Sequence, residues 1–114
     1  MANEWTPDTV FDVLADERVR AVLIATHIQE RSVKDLDNEL GASQSSIYRR
    51  VDVLVNYDFL VEQTKVDAEG HHYSVYKPNF ENIDIRLEDE QVVVRAHFGD
   101  DSVRRWDFDR DFTD

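Results

Sequence analysis

Apolar positions in the first half of the chain recur at helical spacing, and those in the second half alternate. Thr6, Pro7 and Asp8 read as a helix start: Thr6 caps, Pro7 stands in the first turn where no N–H is needed, and Asp8 suits the positive end of the helix dipole. Val10, Phe11 and Leu14 then give one apolar face. Asp16 is placed to open a second helix, in which Val19, Val22, Leu23, Thr26 and His27 follow at three-and-four spacing to about Ile28. Ser32 to Asp35 has the pattern of a capping box, and the short helix behind it turns Val33, Leu36 and Leu40 inward. Gly41, free to adopt left-handed geometry, ends that helix. Ser43 caps the next one, expected over 44–57, where Ile47, Val51, Leu54 and Val55 share the inner face. Gln44, Ser45, Tyr48, Arg49 and Asp52 must then face outward.

After Tyr57 and Asp58 the period becomes two. Leu60 to Val66 and His71 to Lys77 flank Asp67-Ala68-Glu69-Gly70, which predicts a hairpin with a glycine-containing turn, ended by Pro78. A second pair follows, with Ile83, Ile85 and Leu87 before a polar turn around Glu88 to Glu90 and Val92 to Phe98 after it. Gly99-Asp100-Asp101 breaks the pattern. In the tail, Trp106 and Phe108 stand two apart between charges, which suggests a short extended segment laid on another surface. The expected class is α+β: a helical N-terminal half, a hairpin and an additional C-terminal hairpin. Residues 1–79 would form the main unit and 80–114 an extension of the same domain.

A chain of 114 residues, 41% hydrophobic and 33% charged, can bury a core without covalent staples. The absence of cysteine excludes disulfides, thiolate-bound zinc and thiol redox sensing. No apolar run reaches the length of a membrane span, and MANEWTPDTV lacks a basic leader followed by an apolar core, so a cytoplasmic protein is expected. Net charge is −12, Asp outnumbers Glu, and Lys occurs only at Lys34, Lys65 and Lys77. This bias is similar to that of proteins from salt-accumulating halophilic archaea, where dense short carboxylates hold water and cations and keep the protein soluble. The acidity is uneven. Between Ser43 and Asn79, four positive residues face five negative ones, so this stretch sums to −1 and the remainder to −11.

Helix, turn, outward-facing helix and hairpin in that order carry a family resemblance. LDNELGASQSSIYRRVDVLVNYDFLVEQ, Leu36 to Gln63, resembles the winged helix-turn-helix domain of ArsR-type transcription regulators. FDVLADERVRAVL upstream is similar to the opening helices of its compact haloarchaeal members, and the likeness covers roughly Val10 to Lys77. The resemblance implies a dimeric repressor that inserts the helix over 44–57 into the major groove of double-stranded DNA and lays the 61–77 wing on the backbone or minor groove. It assigns base reading to Gln44, Ser45, Tyr48 and Arg49: Gln44 suits adenine, and Arg49 suits guanine or phosphate. Ser43, Ser46, Tyr48 and Arg50 become phosphate ligands, with Arg50 alternatively pairing with an acid of the preceding helix. Lys65, His71 and His72 belong to the wing. The chain departs from the pattern at Asp37, where a small residue is usual, and at Phe59, where glycine is usual.

Ser32 and Lys34 stand where metal-sensing members carry thiolates, so that metal site is not implied. His71 and His72 are adjacent on an expected strand and would point to opposite faces, a poor chelating pair. No phosphate loop, nucleophile elbow or metal-helix motif is present, and the carboxylates are spread too evenly to single out an acid/base pair. Neither enzyme activity nor a cofactor is expected. For dimerisation the apolar material outside the motif is Trp5, Val10 and Phe11 at the start and Trp106, Phe108 and Phe112 at the end. The rival reading is a winged-helix protein-interaction module, or an acidic DNA mimic, that never binds DNA.

Overall fold

The computed structural model describes residues 7–110. Within them lie four helices and two small antiparallel sheets, an α+β arrangement. Thr6, Trp5 and Phe112, which the sequence nominates for capping and dimerisation, lie outside the described residues.

Local chemistry accounts for the helix boundaries. α1 (Pro7–Ala15) gives way to α2 (Glu17–Ile28) at Asp16, whose extended backbone breaks the helix and whose carboxylate accepts the Arg18 N–H at 2.9 Å. α3 (Val33–Leu40) opens on a reciprocal capping box: Ser32 Oγ accepts from the Asp35 N–H at 3.1 Å, and the Asp35 carboxylate accepts from the Ser32 N–H at 3.0 Å. Gly41, at φ 66°, closes it in the left-handed conformation. α4 (Gln44–Asn56) starts at Ser43, whose hydroxyl accepts the Ser46 N–H at 3.2 Å. Each such cap contributes about 1 kcal/mol by satisfying N–H groups that the helix itself cannot.

The core lies where α2, α3 and α4 meet. Val22, Leu36 and Leu54 are fully buried, and Ile47 and Val51 nearly so. Val10, one of the positions nominated for dimerisation, is itself buried in this core. β1 (Leu60–Val66) and β2 (His72–Pro78) form the hairpin, in register from Leu60 opposite Pro78 to Val66 opposite His72. His71, expected in the strand, belongs to the turn: its carbonyl accepts the Asp67 N–H at 2.9 Å. The peptide between α2 and α3 adds one rung beside β2, since the Tyr76 N–H donates to Arg31 O at 2.8 Å and the Arg31 N–H to Tyr76 O at 3.2 Å.

The C-terminal hairpin expected from the sequence is a three-stranded sheet. β3 (Phe80–Glu88), β4 (Gln91–Phe98) and β5 (Val103–Asp109) lie in that order, and β5 pairs with β4 from Gln91 opposite Asp109 to His97 opposite Val103. Trp106 stands opposite Val94 and Phe108 opposite Val92, so lateral pairing satisfies the backbone edge of β4 and shelters both rings at once. This sheet is tied to the helical body through aromatic rings. Phe80 lies 4.9 Å from Phe59, Phe108 stacks on Phe11 at 6.0 Å, and Ile83 and Trp106 pack against the core. Phe59 is a fully buried anchor at the entry to the hairpin, and Asp58 before it takes the left-handed conformation at φ 61°.

Candidate nucleic-acid interface

The register of α4 follows from Ser43 as its cap and from the buried Ile47, Val51 and Leu54. Helical geometry then turns Gln44, Ser45, Tyr48, Arg49 and Asp52 to the opposite side, and all five are exposed. Tyr48 is 60% exposed, a large aromatic face with no core role. Ser43 Oγ and Ser45 Oγ lie 3.3 Å apart at the exposed start of the helix. Among the described residues Arg49 has no ion-pair partner, which leaves its guanidinium available to an outside acceptor.

Arg50 and Ser46 are occupied internally. Arg50 Nε donates to Asp16 Oδ2 at 3.0 Å, and its Nη1 donates to Ser46 O at 3.1 Å and Ser46 Oγ at 2.6 Å. The side chain is half-buried between α4 and the start of α2. Partial burial alone would raise the Asp16 pKa. The Arg18 N–H and the Arg50 guanidinium outweigh it and hold the carboxyl below its ordinary value. Arg50 does pair with an acid, but that acid is Asp16 at the start of α2 and not one of α3, the preceding helix expected to supply it.

The hairpin residues differ in the same way. Lys65 Nζ lies 2.9 Å from Glu30 Oε1, and this hydrogen bond and charge raise the lysine pKa. His71 and His72 are exposed at the tip. His71 Nδ1 lies 3.5 Å from Asp67 Oδ2 and 3.6 Å from Glu69 Oε2. Asp67 also shapes the turn, accepting the N–H groups of Glu69 and His71 at 2.9 Å each. The tip therefore carries acid and imidazole together. Lys77 is exposed and has no ion pair among the described residues. Ser43, Gln44, Ser45, Tyr48 and Arg49 thus share one exposed helix surface, Arg50 and Ser46 brace that helix from behind, and Lys65, His71 and His72 stand on the separate hairpin.

Asp16 and Glu30 escaped the sequence reading as partners of these cations. Asp16 carried a signal as a helix start, but its pairing across 34 residues is a property of the packing. Among the described residues no group of three His, Asp or Glu side chains is arranged to hold a metal ion, and no helix is long and apolar enough to cross a membrane. The chain matches no family model and no curated protein.

Proposed function

We propose that the protein is a sequence-specific DNA-binding transcription regulator of the winged helix-turn-helix class, related to ArsR-type regulators and acting as a cytoplasmic, dimeric repressor without cofactor or catalysis. In this reading α3 and α4 form the helix-turn-helix and the β1–β2 hairpin is the wing. The observation that carries it is the division of α4: a buried Ile47, Val51 and Leu54 stripe on one side, and on the other an exposed surface of Gln44, Ser45, Tyr48 and Arg49, types that hydrogen-bond base edges and phosphates. Ser43 adds a phosphate ligand at the helix start, and Lys65, His71 and His72 approach the backbone from the wing. Arg50 and Ser46 hold the angle of α4 against α2, so their contribution to binding is indirect.

Anisotropy titration of the protein's own promoter region against scrambled DNA, in molar KCl, tests this. Arg49→Ala should cost about 1 to 3 kcal/mol at the cognate site and little on scrambled DNA. Equal affinity for both DNAs at every salt concentration would overturn the proposal.

The twofold partner belongs on the C-terminal sheet. Ile85 and Leu87, 59% and 84% exposed, lie on the same sheet face as Val92 and Phe108, which continues to Phe11 on α1. A second copy there would cover this apolar strip and bring two copies of α4 to successive major grooves. Sedimentation should give a dimer at micromolar concentration in high salt and a monomer for Leu87→Asp; a monomeric parent protein would refute the assignment.

The rival interaction module or DNA mimic draws support from the pairing of Arg50 and Lys65 with Asp16 and Glu30 and from the acids at the hairpin tip. It predicts that Arg49→Ala leaves partner capture intact and that no DNA is preferred.

A further inference from the structure

A half-open hollow of about 420 Å³ lies between the first turn of α3, α4 and the hairpin, within the size range of small-ligand sites. What lines it is chemically divided. α3 contributes positive character: Lys34 is exposed and has no ion pair among the described residues, and the first turn carries the positive end of the helix dipole, with the Ser32 and Asp35 N–H groups already taken by the capping box and the Val33 and Lys34 N–H groups left over. The hydroxyls of Ser32 and Ser74 also line it. α4 and the hairpin contribute three tyrosine rings, Tyr48, Tyr73 and Tyr76, and the carboxylate of Glu62.

These groups are held in place from below. The Tyr76 hydroxyl donates to Glu62 Oε2 at 2.9 Å, fixing the carboxylate against the aromatic wall, while Oε1 has no partner among the described residues. Burial, and then the Glu62 carboxylate, push the Tyr76 phenol up to about 12, so it stays a neutral donor at physiological pH. Tyr48 and Tyr73, 60% and 43% exposed, offer open ring faces that the core does not use.

Charge complementarity points to the class of ligand. Lys34 and Glu62 are both exposed and hydrated in the free protein, and they give the hollow one positive and one negative wall. A molecule with both charges satisfies each wall: an ammonium group is attracted to tyrosine π-faces and to a carboxylate, and a carboxylate to an ammonium and a helix N-terminus. We infer that this hollow binds a small zwitterion of the amino-acid type, its ammonium against Tyr48, Tyr73 and Glu62 and its carboxylate against Lys34 and the first turn of α3. The inference does not require that α4 reads DNA, although Tyr48 lines this hollow and also belongs to the surface proposed to meet DNA.

The test is a titration of the full chain in constant KCl, followed by amide NMR, with the common α-amino acids and their N-trimethylated forms as probes and with tetramethylammonium and acetate as single-charge controls. At least one zwitterion should saturate, shifting amides of residues 32–34 and 73–76, with affinity about tenfold above either control. Tyr73→Ala and Lys34→Ala, both at exposed positions, should each weaken that binding about tenfold while the melting temperature stays that of the parent. Three results would each overturn the inference: no zwitterion saturates, a control binds as tightly as the best zwitterion, or binding is unchanged in both variants.

Discussion

Arg49 and Arg50 stand side by side in the chain, yet a helix turns successive side chains about 100° apart. That rotation leaves Arg49 in solvent and carries Arg50 onto Asp16. Asp16 consequently does two jobs, capping α2 and holding α4. Asp16→Ala should lower stability by about 1 kcal/mol through the lost cap alone, measured by chemical denaturation at neutral pH. Asp16→Asn separates the two roles, because the amide still caps but carries no charge. The folded-state pKa of Asp16 lies below its ordinary 3.8, so the stability that its charge contributes is fully present above that value and lost as pH falls through the lowered one. The stability gap between the parent and Asp16→Asn should therefore be constant at neutral pH and close on acidification; a gap independent of pH would disprove the electrostatic role. At this scale the sequence was informative only where partners are close. The Ser32 and Asp35 box spans three residues and is legible, whereas Arg50 with Asp16, Lys65 with Glu30 and Arg104 with Asp58 depend on tertiary packing.

Among the elements, the helices were legible because their ends are written in local chemistry. Ser32, Gly41 and Ser43 bound α3 and start α4 where the apolar period begins and ends. Strand existence was legible from alternation, but pairing was not. Nothing between Val103 and Asp109 states that β4 will be its neighbour, and the decision falls to Trp106 and Phe108 finding Val94 and Val92. The turns were legible in position but not in conformation, since Asp58, Asp89 and Asp101 take positive φ where glycine is the usual choice. Asp89 lies in the short β3–β4 turn at φ 54°. Asp89→Gly should stabilise the fold by up to about 1 kcal/mol, because left-handed geometry costs a side-chain-bearing residue roughly that much; thermal melts would register it. Asp89→Ala should do the opposite. In the core, Leu54→Ala removes a fully buried side chain where the helices meet and should cost about 2 to 5 kcal/mol.

The whole molecule is extended, 57 × 31 × 28 Å, with a charge of −12. Such a protein approaching DNA must bring cations with it or release few. Asp52 is exposed on the same side of α4 as Arg49, and Asp67 stands at the hairpin tip, so association would trap cations beside these carboxylates. A shallow or inverted dependence of affinity on KCl follows for the DNA-binding reading, against the steep loss of ordinary counterion release. Titration from low to molar salt reads this directly, and a steep negative slope throughout would defeat it. Tyr76 belongs to the same large-scale picture. Its ring is in the core, its backbone is bonded to Arg31 on one side, and its strand is in register with β1 on the other. A one-residue slip of the hairpin would turn this ring and Leu60 out to water, so alignment is enforced from the base and does not depend on the 67–71 loop alone. That loop can therefore be lengthened, shortened or rewritten in descendants of this sequence while the helices keep their arrangement, which makes the far end of the hairpin the place where new reach and new specificity can be tried at least risk to folding.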